Sequence, residues 1–426
     1  MDQSEKTIFV YENWRSEKPT LVGRLHISFV RGQESYSFEY ADGWLNSFKS
    51  AYSLDPDLSL YRGRQYVPLD KRLFGLFADS CPDRWGRLLM KRKEAIDARK
   101  EDRKPRKLTE SDFLLGVCDE SRMGALRFSL EEGGEFCSTE TAYATPPWIR
   151  LRTLENASIA FESDDSGQEE KWLRELLAPG SSLGGARPKV TVQAADGSLW
   201  IAKFPSRHDE YNSGAWEKVV HDLARLCSLN VPESKLETFS KSGSTFLVKR
   251  FDRDGKRRIH FASAMTLLGK TDGASAVDGT SYLDLAAYIR ANGAEPKQDL
   301  MELWKRIVFN MAVSNTDDHL RNHGFILTPT GWRLSPLFDV NPIPSGDSLS
   351  LNVSEYDNSI DLSLAIEVAD YFGLTKDEAE KISADICKTV KKDWVRKAES
   401  YGLSRGAVEY MRPAFSYHDH RESLNG

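Results

Sequence analysis

The chain has 426 residues, of which 40% are hydrophobic and 29% charged, with a net charge of -6 and five cysteines. That is material for two or three domains at roughly 100–200 residues each. The acidic balance argues against general attraction to nucleic acid, the odd cysteine count without C-x-x-C pairing against a disulfide or zinc-finger framework, and the lack of any apolar run near the roughly 18 residues of a membrane span against a spanning or secreted chain.

In chain order, T-I-F-V-Y, R-L-H-I-S-F-V and Y-S-F-E-Y alternate or run apolar within residues 1–60, so a small antiparallel sheet is expected there. Helices are expected over 73–79 and 82–98. The basic stretch from Lys91 to Lys107 reads plainly as a solvated helix followed by a linker, and more sharply as a patch for phosphate or a partner. Residues 131–147 look like a connection, and an acidic run at 162–170 leads into a short helix over 171–178.

After Gly180 the pattern changes. S-S-L-G-G-A-R-P-K (181–189) precedes two strands, K-V-T-V-Q and S-L-W-I-A-K-F, joined by a D-G turn. Asn212 can cap a helix running to Cys227, with Trp216, Val219, Val220, Leu223 and Leu226 at helical spacing. K-L-E-T-F and S-T-F-L-V-K-R-F-D follow as strands. From Ser281 onward the pattern is helical apart from a hairpin around Gly331. A β-rich part followed by a helical part implies an α+β chain on a two-lobed, protein-kinase-like plan. Three segments are expected: an N-terminal module of small sheet and helices over 1–150, a core with the glycine-rich loop, lysine and hinge over 151–270, and an all-helical lobe over 271–426.

The chemistry concentrates between Phe309 and Pro342. Asp317 and Asn322 stand as D-x-x-x-x-N, and Asp339 follows beyond the hairpin. Phosphoryl transfer needs these parts in this order: a carboxylate beside the accepting hydroxyl, then an amide and a second carboxylate for magnesium. Asp318 is the competing base, but it breaks the four-residue interval to Asn322. His319 and His323, four apart beside two aspartates, also permit a zinc-hydrolase reading, although the strand that starts at Asn-His-Gly should break a shared helical face. Upstream, Lys203 lies mid-strand among apolar neighbours. It is either a surface lysine or one reaching phosphate, with Glu217 on the next helix as its natural partner. Adjacent Gly184 and Gly185 let backbone N–H groups approach a phosphate, though a glycine pair alone fits any loop.

In order along the chain, A-D-S-C-P-D-R-W-G-R-L-L (78–89), S-L-G-G-A-R-P-K (182–189), I-A-K-F-P-S (201–206), V-K-R-F-D-R (248–253), N-T-D-D-H-L-R-N-H (315–323) and L-F-D-V-N-P (337–342) resemble the HipA family of bacterial serine/threonine kinases, toxins of toxin–antitoxin pairs. Cys81 stands where leucine is usual. The resemblance implies ATP and Mg²⁺ as cofactors. Ser182, Gly184, Gly185, Ala186 and Lys203 would meet the nucleotide's phosphates with Glu217 and His319 in support, and Val248 to Phe251, including Lys249, would hold adenine. Asp317 would be the base, and Asn322 and Asp339 the metal ligands. It further implies inactivating autophosphorylation at Ser182, a HipB-like helix-turn-helix antitoxin, operator DNA bound through the joint complex, an aminoacyl-tRNA synthetase such as glutamate–tRNA ligase as substrate, and a cytoplasmic location away from membranes. A small-molecule phosphotransferase and a non-catalytic co-repressor are the alternatives.

Overall fold

The structure, a computed structural model, describes residues 5–30, 32–47, 53–139, 145–163, 169–177, 185 and 187–416. The chain divides into two compact units: Met1–Arg207 with Lys249–Ala262, and His208–Val248 with Ser263–Gly426. The chain therefore passes from one unit to the other between Val248 and Lys249, inside the segment expected as a hinge.

In the first unit a five-stranded sheet is built from β1 (Lys6–Glu12), β2 (Thr20–Val30), β3 (Gln33–Tyr40), β4 (Gln65–Tyr66) and β5 (Leu126–Ser129), in the order β4-β3-β2-β1-β5. The pairs β1–β2 and β2–β3 are antiparallel, with Ile8 opposite Leu25 and Leu25 opposite Phe38. These apolar positions are fully buried, which fixes the register because a one-residue slip would turn them to solvent. Gly23 is demanded by packing, since a Cβ there would lie 2.2 Å from the Glu39 carbonyl oxygen. Helices α1 (Asp42–Ser47), α2 (Gly75–Ala78), α3 (Arg84–Lys100), α4 (Glu110–Leu115), α5 (Leu151–Ser163) and α6 (Glu169–Leu177) complete this part.

The helix expected from Pro82 begins at Arg84, because the Asp83 carboxylate accepts from the Gly86 N–H at 2.8 Å and sets the N-cap. The expectation also lacked α4, whose start is a capping box between Thr109 and Asp112. In the basic stretch Arg103 pairs with Glu94 and Glu101, and Arg106 with Asp112 at 2.6 Å. Much of its charge is thus compensated locally, as a solvated helix with a returning linker would have it. The hairpin of β6 (Lys189–Gln193) and β7 (Leu199–Lys203) turns at Asp196-Gly197, where Gly197 takes φ +83°.

The second unit opens with α7 (Ser213–Leu226), capped by Asn212, whose Oδ1 accepts from the Ala215 N–H at 3.3 Å. Gly214 lets this helix touch the strand beside it: a Cβ would sit 2.0 Å from the Ser244 carbonyl oxygen. The strands β8 (Ser234–Ser240) and β9 (Gly243–Lys249) form a hairpin. Lys249–Ala262, back in the first unit, carries β10 (Arg253–Asp254), β11 (Arg257–Arg258) and the start of β12 (Phe261–Ser263), and the second unit resumes with α8 (Ala264–Leu267), α9 (Tyr282–Asn292) and α10 (Pro296–Ala312). The antiparallel pair β13 (Gly324–Thr328) and β14 (Gly331–Leu334) follows, then α11 (Leu362–Glu367), α12 (Lys376–Ser400) and α13 (Arg405–Phe415). The stretch 271–426 is therefore not all helical. Trp304 and Trp332 are fully buried, and Trp394 stacks on Phe415 at 4.5 Å. No helix among the described residues is long and apolar enough to cross a membrane.

Candidate active site

Helix α10 is buried from Leu303 to Ala312 except at Lys305, so it delivers the following loop from a rigid support. It ends in a Schellman turn: the Asn315 N–H donates to the Asn310 carbonyl at 2.9 Å, and Ser314 between them takes the left-handed φ of 48°. Glycine usually fills that position, and a serine there costs backbone strain. Asn315 then donates from Nδ2 to Asn310 Oδ1 at 3.0 Å and accepts from the Asn341 N–H at 3.3 Å, tying the loop to the chain beyond β14.

The two adjacent aspartates have opposite environments. Asp318 is 1% exposed. Its Oδ2 accepts from the Tyr282 hydroxyl at 2.6 Å, from Asn310 Nδ2, and from His323 Nε2 at 3.0 Å. Burial pushes its carboxyl up, but the His323 ring, the hydrogen bonds from His323 and Tyr282, and the nearby His319 outweigh that and hold it below the usual range. Asp317 is exposed. Its backbone carbonyl accepts from Asn322 Nδ2 at 2.7 Å and from the His319 N–H at 3.0 Å. With that amide nitrogen committed, the Asn322 oxygen is the free face of the side chain, and it is buried without a hydrogen-bond partner.

Asp339 lies in the left-handed region at φ 57° and is half-buried. The chain after it is strapped across the loop: the Ile343 N–H donates to the Ser314 carbonyl at 3.1 Å, and Ser350 Oγ to the Thr316 carbonyl at 2.7 Å. Asp317, Asp318, His319, Asn322, His323 and Asp339 are thus all carried by one hydrogen-bonded assembly. For a zinc-hydrolase reading the histidines should share a metal, but His323 spends its Nε2 on Asp318. Among the described residues no group of three or more His, Cys, Asp or Glu is set to hold a metal.

The upstream residues are placed unit by unit. Lys203 is 7% exposed in β7 of the first unit, directly opposite Lys189 in the strand register. Gly185 takes φ +99°, whereas Ser182, Gly184 and Ala186 lie outside the described residues. Lys249 and Phe251 are half-buried, and Phe251 packs at a tilt on Phe261 at 6.1 Å. Glu217 belongs to α7 of the second unit and is 5% exposed, not a solvated helix-start acid.

Sequence reasoning missed the work done inside K-R-F-D-R. Asp252 is fully buried and accepts from Arg250 Nη2 at 2.6 Å, from Arg253 Nη1 at 2.7 Å and from the Gly124 N–H at 2.8 Å. Burial raises its carboxyl, but Arg250 and Arg253 win and bring it to about 2. Arg250 also donates to the Ser121 and Arg122 carbonyls. The two arginines are local, but no local pattern signals the bond from Gly124, which stands 128 residues earlier.

Comparison with known proteins matches two stretches of the chain. The family described as HipA-like C-terminal domain matches residues 181–394, and the HipA N-terminal domain matches residues 17–129. Y4mE of Sinorhizobium fredii, whose kinase designation is provisional, is 31% identical over 183 residues, 37% of this chain and 41% of its own length. The serine/threonine-protein kinase toxin HipA of Shewanella oneidensis is 25% identical over 228 residues, 46% of this chain and 50% of its own. In both cases the match spans about half or less of the relative. A solved Shewanella oneidensis complex of HipA, HipB and operator DNA contains a chain of the same fold, with a TM-score of 0.66 over 96% of each chain at 16% identity.

Proposed function

The chain belongs to the HipA family, and we propose that it is an ATP-dependent serine/threonine protein kinase acting as the toxin of a toxin–antitoxin pair. The observation that carries this reading is the split between neighbouring carboxylates. Asp318 is consumed by the loop's own scaffold, while Asp317 faces outward beside an amide oxygen that nothing satisfies.

In this reading the acceptor hydroxyl binds beside Asp317, which takes its proton as the oxygen bonds to the γ-phosphorus. The bond from that phosphorus to the β–γ bridging oxygen breaks, and ADP leaves with its electron pair. Lys203 offsets phosphate charge, Glu217 and His319 act in support, and 248–251 holds the base. The donor set suits magnesium: the orphaned Asn322 oxygen and the Asp339 carboxylate are hard oxygen ligands. When bound, the ion would offset charge on the transferring phosphoryl group. Residues 151–270 and 271–426 would then be the two lobes, after an N-terminal module.

Ser182 is the proposed autophosphorylation site: a phosphate adds about two negative charges where phosphates must bind. The substrate is proposed to be an aminoacyl-tRNA synthetase, glutamate–tRNA ligase for instance, whose loss would arrest growth in the cytoplasm. The Shewanella relative, solved with HipB and operator DNA, supports a helix-turn-helix antitoxin and DNA as partners.

The test is label transfer from γ-labelled ATP with Mg²⁺, with and without cell lysate. Wild type should label itself and a lysate protein. Ser182→Ala should lose only the self-label, and Asp317→Gln should lose both. No transfer from wild type, or transfer untouched in Asp317→Gln, contradicts the kinase reading and favours a binding role alone.

A further inference from the structure

One sequence block is not used by the mechanism above: C-P-D-R-W-G-R, at the start of α3. Its aspartate, Asp83, is 3% exposed and does two things. It caps α3 by accepting from the Gly86 N–H at 2.8 Å, and its other oxygen lies 3.3 Å from the Lys189 ammonium. Helix α3 is itself anchored, by Trp85 edge-on to Phe161 at 5.5 Å and by the Arg87–Glu110 pair at 2.6 Å. The carboxylate is therefore a fixed point that cannot follow the lysine.

Lys189 is 4% exposed and stands opposite Lys203 in the antiparallel register. Directly opposed residues project to the same face, about 5 Å apart at Cβ, so both lysines leave one face of the hairpin. Gly185 covers the Lys189 end: a Cβ on it would lie 2.8 Å from the ammonium, and its φ of +99° suits only glycine. A continuous path thus runs from the cap of α3 through the Lys189 ammonium to the backbone of the glycine-rich segment.

We propose that Asp83 is a positioning residue for the nucleotide's phosphates, holding the Lys189 ammonium beneath Gly185 on the face shared with Lys203. This rests on the kinase reading. Two ammonium groups on one face present a divided positive charge to a polyphosphate, and an unanchored lysine would lose that geometry to its rotamers.

Asparagine caps a helix as well as aspartate does, so Asp83→Asn removes the ion pair and keeps the helix start. Calorimetric titration of the full chain with Mg²⁺ and a non-hydrolysable ATP analogue, and separately with adenosine, separates the outcomes. Asp83→Asn should weaken the analogue about tenfold or more, the scale of one charge-assisted contact, and leave adenosine unchanged. Asp83→Glu should recover part of the loss. Equal affinity for the analogue in Asp83→Asn and wild type overturns the inference alone, as does an equal loss for analogue and adenosine, which is a folding defect. Wild type that binds no analogue overturns the kinase reading and this inference together.

Discussion

Two buried aspartates, one in each unit, invite comparison. Asp252 is closed in by the guanidinium groups of Arg250 and Arg253 and by the Gly124 N–H, and the Gly124 bond, with those from Arg250 to the Ser121 and Arg122 carbonyls, stitches the 250–253 segment to residues 121–124. Asp318 is as deeply buried, but its donors are a phenol, an amide and an imidazole, and the next residue back is exposed. Around Asp252 the polar groups serve to join two parts of one unit. Around Asp318 they hold a short loop in a shape that leaves a carboxylate outward and the Asn322 oxygen without a donor. Buried charge alone does not mark a functional site. What sets Asp318 apart is that its saturated charge fixes a loop carrying the orphaned Asn322 oxygen.

The comparison breaks or sharpens by substitution. Asp252→Ala should have the largest effect on stability. It leaves Arg250 and Arg253 buried without their carboxylate, at a cost of roughly 3–5 kcal/mol in urea unfolding. A loss under about 1 kcal/mol would mean the network does not hold the first unit together. Acid should act next. The Asp252 carboxyl is depressed to about 2, so its contribution is complete above the unfolded value near 4 and vanishes as pH falls through 2. Thermal melts between pH 5 and 2 should show an acid loss of about 2 kcal/mol from this group, reduced in Asp252→Asn. The smallest stability effect is expected from Asn322→Ala, about 1 kcal/mol for one hydrogen bond. Its signature should be a raised Mg²⁺ concentration for half-maximal ATP binding, and an unchanged Mg²⁺ requirement would remove the amide from the metal site.

Much of the fold was legible where a local rule operates. Asn212 before α7, the Asp196-Gly197 turn and the three alternating strands near the start each declare themselves within a few residues. The two outer strands of the sheet did not, because β4 has two residues and β5 four, too short for a periodic signal. Helix α5 hides its start, following a 3₁₀ turn without a side-chain cap. At the site, spacing alone pointed to Asp317, Asn322 and Asp339, and the structure gives the two adjacent carboxylates contrasting surroundings. Tyr282 was not foreseeable, since it reaches Asp318 across 36 residues. The ion pair of Asp83 with Lys189 was equally hidden, because motif reading treats the two blocks as separate.

The division of labour between Asp317 and Asp318 is tested most directly by single-turnover phosphate transfer and thermal melting of the two asparagine variants. Asp317→Asn is expected to slow transfer by about 10²–10⁴-fold, the range for a lost general base, with its melting temperature unchanged. Asp318→Asn is expected to lower the melting temperature, because its buried donors lose part of their acceptor. An Asp317→Asn protein that transfers phosphate at the wild-type rate, or an Asp318→Asn protein that melts like wild type but transfers none, would contradict the account.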